Sequence, residues 1–196
     1  MNTITYEIDN NLYINLTNKC TNACVFCVRN SDTYEGYYLW LDREPTVDEV
    51  IASAGDVSKY NDIVFCGYGE PTFRVDAMVE LGKYYRSLGK FVRVNTNGHG
   101  NKINNRNIAP ELVGALDLVS ISLNQSDKEK YQEICRSKYG AEAFDILIDF
   151  AKDCVKAGLS TQFSIVDVEG VDVAACQKLS DDLQIPLRVR DYIDVE

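Results

Sequence analysis

Six short apolar segments alternate with longer amphipathic ones along the chain, and this alternation limits the folds open to it. Leu12–Leu16, Asp62–Cys66, Phe91–Asn95, Leu118–Leu123, Thr161–Val166 and Leu187–Asp191 read as strands. Thr46–Ser58, Arg74–Leu88, Pro110–Leu116, a long stretch from Ser126 to Ala157, and Val171–Leu183 read as helices between them. Strands alternating with helices require a parallel sheet with right-handed crossovers. Thr3–Ile8 is expected to form a hairpin with the first strand through Asp9-Asn10-Asn11, a turn-forming run. Five βα units and a sixth strand are too few to close an eight-stranded barrel. An open partial barrel and a flat doubly wound sheet remain.

Side-chain parity chooses between them. Ser120, Ser122 and Asn124 share one face of their strand, while Val119, Ile121 and Leu123 share the other. The same split gives Asn15, Arg93 with Asn95, Gln162 with Ser164, and Arg188 with Arg190 on their own strands. A sheet covered by helices on both faces would have near-continuous apolar strands. One polar face in strand after strand fits a wet lumen, so the expected fold is α/β: an open, partial TIM-type barrel of about (βα)5β6, in one domain over residues 1–196.

Charge restricts the partners. The 196 residues hold 20 Lys and Arg against 30 Asp and Glu, a net charge of −10. That balance disfavours long nucleic acid, whose binding rests on dense positive charge, and anionic membranes as well. No apolar run approaches the roughly 20 residues of a bilayer span. The first 18 residues carry Glu7 and Asp9 and no Lys or Arg, unlike a secretory signal. The chain is therefore expected to be cytoplasmic. Its seven cysteines are an odd number that cannot all pair, and a reducing compartment disfavours disulfides in any case.

Cys20, Cys24 and Cys27 lie within eight residues, just after the first strand, where α/β folds place their sites. Three thiolates at this spacing suit an iron–sulfur cluster or a soft metal. A structural zinc site would need a fourth ligand, for which Cys66 is the candidate. The single histidine, His99, excludes sites built on two histidines.

The Cys-x3-Cys-x2-Cys spacing, with Phe26 before the last Cys, resembles the signature of the radical SAM enzymes. Phe65-Cys66-Gly67-Tyr68-Gly69-Glu70-Pro71-Thr72, after the second strand, resembles that family's Gly-Gly-Glu-Pro motif, with Tyr68 where the first Gly usually stands. Asn95-Thr96-Asn97-Gly98 resembles a further family segment. The resemblance implies a [4Fe–4S] cluster on the three cysteines, with one iron left to chelate S-adenosylmethionine (SAM). One electron, from a donor such as flavodoxin or ferredoxin, would cleave SAM to a 5′-deoxyadenosyl radical that abstracts hydrogen from a substrate. It also implies that the backbone around Phe26 holds adenine, that Gly69 and Glu70 hold the methionine amine with help from Asn95, and that Ser122 and Asn124 reach the ribose and carboxylate. Arg188 is the candidate to neutralise the carboxylate.

Leu12-Tyr13-Ile14-Asn15-Leu16-Thr17-Asn18, Gly36-Tyr37-Tyr38-Leu39-Trp40-Leu41 before Glu44-Pro45-Thr46, and Asn95–Asn101 resemble the TatD-associated radical SAM proteins. That likeness implies a functional link to a TatD-type hydrolase. A small molecule, nucleoside- or nucleotide-like, is the expected substrate. The alternatives are an activase acting on a glycyl-radical protein and a non-catalytic iron–sulfur or zinc module. The aromatic loop Val28–Glu44 reads equally as a lid and as a segment packed on the barrel by Leu39, Trp40 and Leu41. His99 reads as a solvated loop residue, with proton transfer as the functional alternative, and Cys66 as a small residue lining the cavity. Cys135, Cys154 and Cys176 read as packing residues.

Overall fold

The computed structural model describes residues 3–192. Seven strands form one sheet in the order of the chain: β1 (Thr5–Ile8), β2 (Asn11–Ile14), β3 (Asp62–Phe65), β4 (Phe91–Thr96), β5 (Leu118–Ser122), β6 (Thr161–Asp167) and β7 (Leu187–Asp191). β1 runs antiparallel to β2, and every later neighbour is parallel. Each crossover advances by one strand in the same direction. The sheet therefore curls into a half-barrel instead of reversing at a switch point as a doubly wound sheet does. The open partial barrel expected from strand parity is the fold observed.

The β1–β2 turn is tighter than the sequence suggested. Asp9 and Asn10 both have positive φ (50° and 60°), which gives the two-residue hairpin whose twist matches the strands, and Asn11 already pairs with Ile8.

The helices are α1 (Val47–Ala54), α2 (Val75–Ser87), α3 (Gly100–Asn104), α4 (Ala109–Leu112), α5 (Lys128–Cys135), α6 (Glu142–Lys156) and α7 (Val173–Leu183). Side chains cap three of them: Thr46 with Glu49 in a capping box on α1, Asp127 on α5 and Asp172 on α7. The predicted first helix is shorter than Thr46–Ser58, because Gly55 at φ 57° ends it. The short α3 had no counterpart in the sequence reading. The long stretch Ser126–Ala157 is two helices, not one. Arg136 takes the left-handed conformation (φ 45°), Gly140 follows at φ 62°, and the chain turns between α5 and α6.

Val92, Val94, Val119, Ile121, Phe163 and Ile165 face outward from the sheet and are fully buried beneath Met78, Leu81, Leu147, Phe150 and Ala151 of the helices. On the opposite face Arg93, Asn95 and Ser120 line the lumen, and the Gln162 amide donates to the Ser120 hydroxyl at 3.1 Å.

Leu147 is fully buried on α6 and lies against Gly98 and Ile121. Leu147→Ala is expected to destabilise the chain by about 2–5 kcal/mol through the lost burial and the cavity it leaves. Urea denaturation should show a lower midpoint at unchanged slope.

Candidate active site

The loop that follows β2 carries Cys20, Cys24 and Cys27, all half-buried, into one cavity at the C-terminal ends of the strands. Phe26, Gly69 and Glu70 line the same cavity, together with Asn95, Ser122 and Asn124 from β4, β5 and its following turn. Cys66 lies there too, at the end of β3. Of the site residues proposed from sequence, Arg188 alone falls outside. It lines the adjoining lumen, and Arg190, two residues further along the same strand face, is the guanidinium at the cysteines' cavity. Parity gives the face of β7 but not the height at which each arginine enters.

The cysteine loop is held by the end of a helix. The N–H groups of Ala23 and Val25 donate to the carbonyls of Cys135 and Ile134 in the last turn of α5, both at 3.0 Å. Lys138 N–H returns a bond to the Thr21 carbonyl at 2.9 Å. A helix end leaves carbonyls without internal partners, and here the loop supplies donors to them. That pairing is why the helical stretch breaks at Arg136. Cys135 is more than a packing residue, since its sulfur lies beside the Cys24 thiol and accepts from the Asn124 amide at 3.6 Å. The neighbouring Cys135 sulfur and then burial push the Cys24 thiol up, while Cys24 draws Cys135 down. Burial raises Cys20 to about 12 and Cys27 to about 11. The metal-free thiols therefore keep their protons at neutral pH, and a bound cation is what would remove them.

Glu70 ties the loops together. It is 3% exposed, and burial raises its carboxyl above the ordinary range while four donors oppose that shift. Oε1 accepts from Thr72 N–H (3.1 Å), the Thr72 hydroxyl (2.7 Å) and the Thr96 hydroxyl (2.7 Å), and Oε2 accepts from Asn97 N–H at 2.7 Å. Its own N–H donates to the Lys19 carbonyl at 2.8 Å. Gly69 permits this approach, because a Cβ there would lie 2.1 Å from the Thr17 carbonyl oxygen. Tyr68, at the position where the motif departs, is buried edge-on against Trp40 with ring centroids 5.1 Å apart.

The Val28–Glu44 loop combines both sequence readings. Its second half is fastened down. The Asn15 amide donates to the Leu39 carbonyl at 2.6 Å, and Asn18 both donates to the Leu41 carbonyl and accepts from its N–H. Its tip is a two-residue hairpin, Glu35-Gly36, between the mutually bonded Tyr34 and Tyr37, and Tyr34 reaches the lumen.

His99 is fully buried, against the expectation of a solvated loop residue. Its Nε2–H donates to the Ala143 carbonyl at 3.1 Å, and its Nδ1 accepts from the Thr21 hydroxyl at 2.8 Å. The Asn97 amide donates to the same hydroxyl at 2.8 Å. Both ring nitrogens are used in bracing the cysteine loop against α6. Burial lowers the imidazole to about 4, from an ordinary value of 6.5. The unfolded chain therefore binds more protons below pH 6.5, and the stability from neutral His99 is full above that pH and lost as pH falls toward 4. Between pH 7 and pH 4.5 wild type should lose roughly 2 kcal/mol more than His99→Gln. Denaturant melts of both at pH 7 and pH 4.5 measure this, and parallel losses would refute it.

Residues 14–182 match the radical SAM superfamily. An uncharacterized protein of Methanocaldococcus jannaschii is 28% identical over 141 residues, which cover 69% of this chain and 43% of the relative. A probable GTP 3′,8-cyclase of Methanocella arvoryzae is 27% identical over 173 residues, covering 87% and 52%. The chain thus spans about half the length of these curated relatives. Among solved structures, TYW1 with a lysine-pyruvate adduct bound superposes with a TM-score of 0.66 at 18% identity, covering 95% of this chain and 66% of that one, a likeness of fold. Members of the superfamily use a [4Fe–4S] cluster and SAM. A match over most of the chain, on a half-barrel whose cysteine loop leaves β2 and meets the Gly69-Glu70 loop, places this protein in the radical SAM superfamily.

Proposed function

We propose that the protein binds a [4Fe–4S] cluster through Cys20, Cys24 and Cys27 and uses it with SAM to abstract hydrogen from a small molecule held in the barrel lumen. The observation that carries this reading is the meeting of the three cysteines with Gly69, Asn95, Ser122 and Asn124 around one cavity. The donors fit the cluster. Three soft sulfurs face the cavity, and the nearby carboxylate of Glu70 is already engaged by its loops. The residues also fit SAM. The Oδ1 atoms of Asn22 and Asn124 are buried in this cavity without a hydrogen-bond partner, acceptors waiting for amine or hydroxyl donors.

When bound, the cluster and SAM supply a 5′-deoxyadenosyl radical, and the chain's own residues position it and exclude water. Phe26 borders the adenine side. Gly69 and the Glu70 backbone would hold the amine with Asn95 beside them, and Ser122 and Asn124 would reach the ribose and carboxylate. Arg188, the guanidinium that the resemblance assigned to the SAM carboxylate, borders the adjoining lumen instead.

A small substrate is favoured over a glycyl-radical protein because the lumen beside this cavity has a volume of about 480 Å³, ordinary for a small-molecule site, with the Tyr34 tip over it. A nucleoside- or nucleotide-like molecule suits its tyrosines. Within the superfamily we group the chain with the TatD-associated proteins, and so with a TatD-type hydrolase as functional partner. The segments that carry this likeness interlock here, through Asn15 with Leu39 and Asn18 with Leu41.

Anaerobic reconstitution with iron and sulfide, reduction and addition of SAM should yield 5′-deoxyadenosine and methionine by mass spectrometry. Cys24→Ala should lower that yield at least 100-fold. Zinc uptake in place of a cluster, or equal product from Cys24→Ala, would overturn the proposal.

A further inference from the structure

The lumen is lined by arginine in a chain of net charge −10. Arg43, Arg74, Arg86 and Arg106 each pair with a carboxylate on the outer surface. Arg93 is anchored inside, with Nε 3.3 Å from Asp62, Nη1 2.8 Å from the Asn95 amide oxygen and Nη2 3.4 Å from the Tyr13 hydroxyl. Arg188 and Arg190 make no ion pair or hydrogen bond among the described residues, although acidic groups outnumber basic ones. The Arg190 Nε is buried and without a partner. Two guanidinium groups on one strand face repel each other, and a buried donor left unpaired costs free energy. Both costs fall if an anion sits between them.

Four other polar groups around the lumen have protons to donate. Burial raises the Tyr34 phenol to about 12 and raises Tyr13 too, so both keep their O–H at neutral pH. The Ser120 hydroxyl accepts from Gln162 and has its proton to give. Asn95 has its oxygen on Arg93, leaving its NH2 group toward the space between the lumen and the cysteines' cavity, both of which it lines. The carboxylates that border the lumen, Asp9, Glu35 and Asp191, are solvent-exposed and, like the exposed Arg188, screened by water, whereas Arg190 is half-buried with its Nε out of water.

We infer that the lumen holds a doubly charged oxyanion of the substrate, a phosphate monoester or a dicarboxylate, on Arg188 and Arg190 with Tyr13, Tyr34 and Ser120 as further donors. Guanidinium groups pair in a planar, bidentate way with such oxygens and stay charged throughout. This deepens the proposed function by naming the substrate class and rests on the lumen being the substrate chamber. Arg190 and Asn95 border both cavities, so an anion anchored here leaves the rest of the molecule toward the cysteines.

Calorimetry on the full chain, at fixed ionic strength set with chloride, tests this with inorganic phosphate and with succinate as probes. Neither probe needs SAM cleavage, so the anion site and the radical chemistry succeed or fail separately. At least one probe should bind saturably, and which one binds tells a phosphate from a dicarboxylate. Arg188→Gln should weaken it at least tenfold, Arg190→Gln likewise, and the surface variant Arg86→Gln should not change it. Circular dichroism checks that each variant is folded. In the reconstituted protein, saturating SAM should leave the affinity for the probe within twofold. Binding of neither probe, equal binding by Arg188→Gln, or loss of the probe on adding SAM would each overturn the inference, the last by assigning these arginines to SAM.

Discussion

The Glu70 carboxylate is the constraint on which the site depends. A buried carboxylate is costly unless its lone pairs are met, and Glu70 meets them with groups from two places, Thr72 after β3 and Thr96 with Asn97 where β4 ends. Once Asn97 is fixed, its amide reaches Thr21, and Thr21 reaches His99 on its way to α6. The Glu70 N–H meanwhile holds Lys19. The cysteine loop has no secondary structure of its own between β2 and Cys27, and this chain of bonds is what gives it a fixed course over the strand ends. Hydrogen bonds to charged groups are roughly twice as strong as neutral ones, which makes an acid a better hub here than an amide.

Much of this was legible in the sequence because it is set by local rules. All six βα strands lie within two residues of where the apolar segments place them, and the alternation Val119-Ser120-Ile121-Ser122 correctly separates helix-facing from lumen-facing side chains. Sequential strand order follows from short crossovers of one hand. The three motif segments met at one cavity because each follows the C-terminal end of a strand.

What was illegible is non-local. Arg136 carries no signal for a left-handed turn. It turns because the carbonyls of Ile134 and Cys135 are taken by Ala23 and Val25, more than a hundred residues earlier. His99 sits among glycines and asparagines and looks solvated, yet its ring partners are 78 and 44 residues away. Arg188 and Arg190 share a face, and only the stagger of the curled sheet decides which one stands by the cysteines.

The departure from the glycine motif has its own logic. A glycine at position 68 would leave a space where Tyr68 now packs edge-on to Trp40, with the Arg29 guanidinium 4.9 Å from the other ring system's centroid. The tyrosine therefore fastens the Val28–Glu44 loop to the motif loop, while Asn15 and Asn18 fasten it to the strand that leads into the cysteines. The loop is held from both sides of the site and extends only its hairpin tip, Tyr34 to Tyr37, over the lumen. Its stem cannot open without breaking contacts of the cysteine loop itself. The lumen is bordered by the tip and, among the described residues, by the edge strands β1 and β7, with Asp9 just after β1 and Asp191 at the end of β7. A half-barrel with a fastened loop over one end has arginines along its β7 edge and sets the cysteines behind Asn95 and Arg190, the two residues that border both cavities.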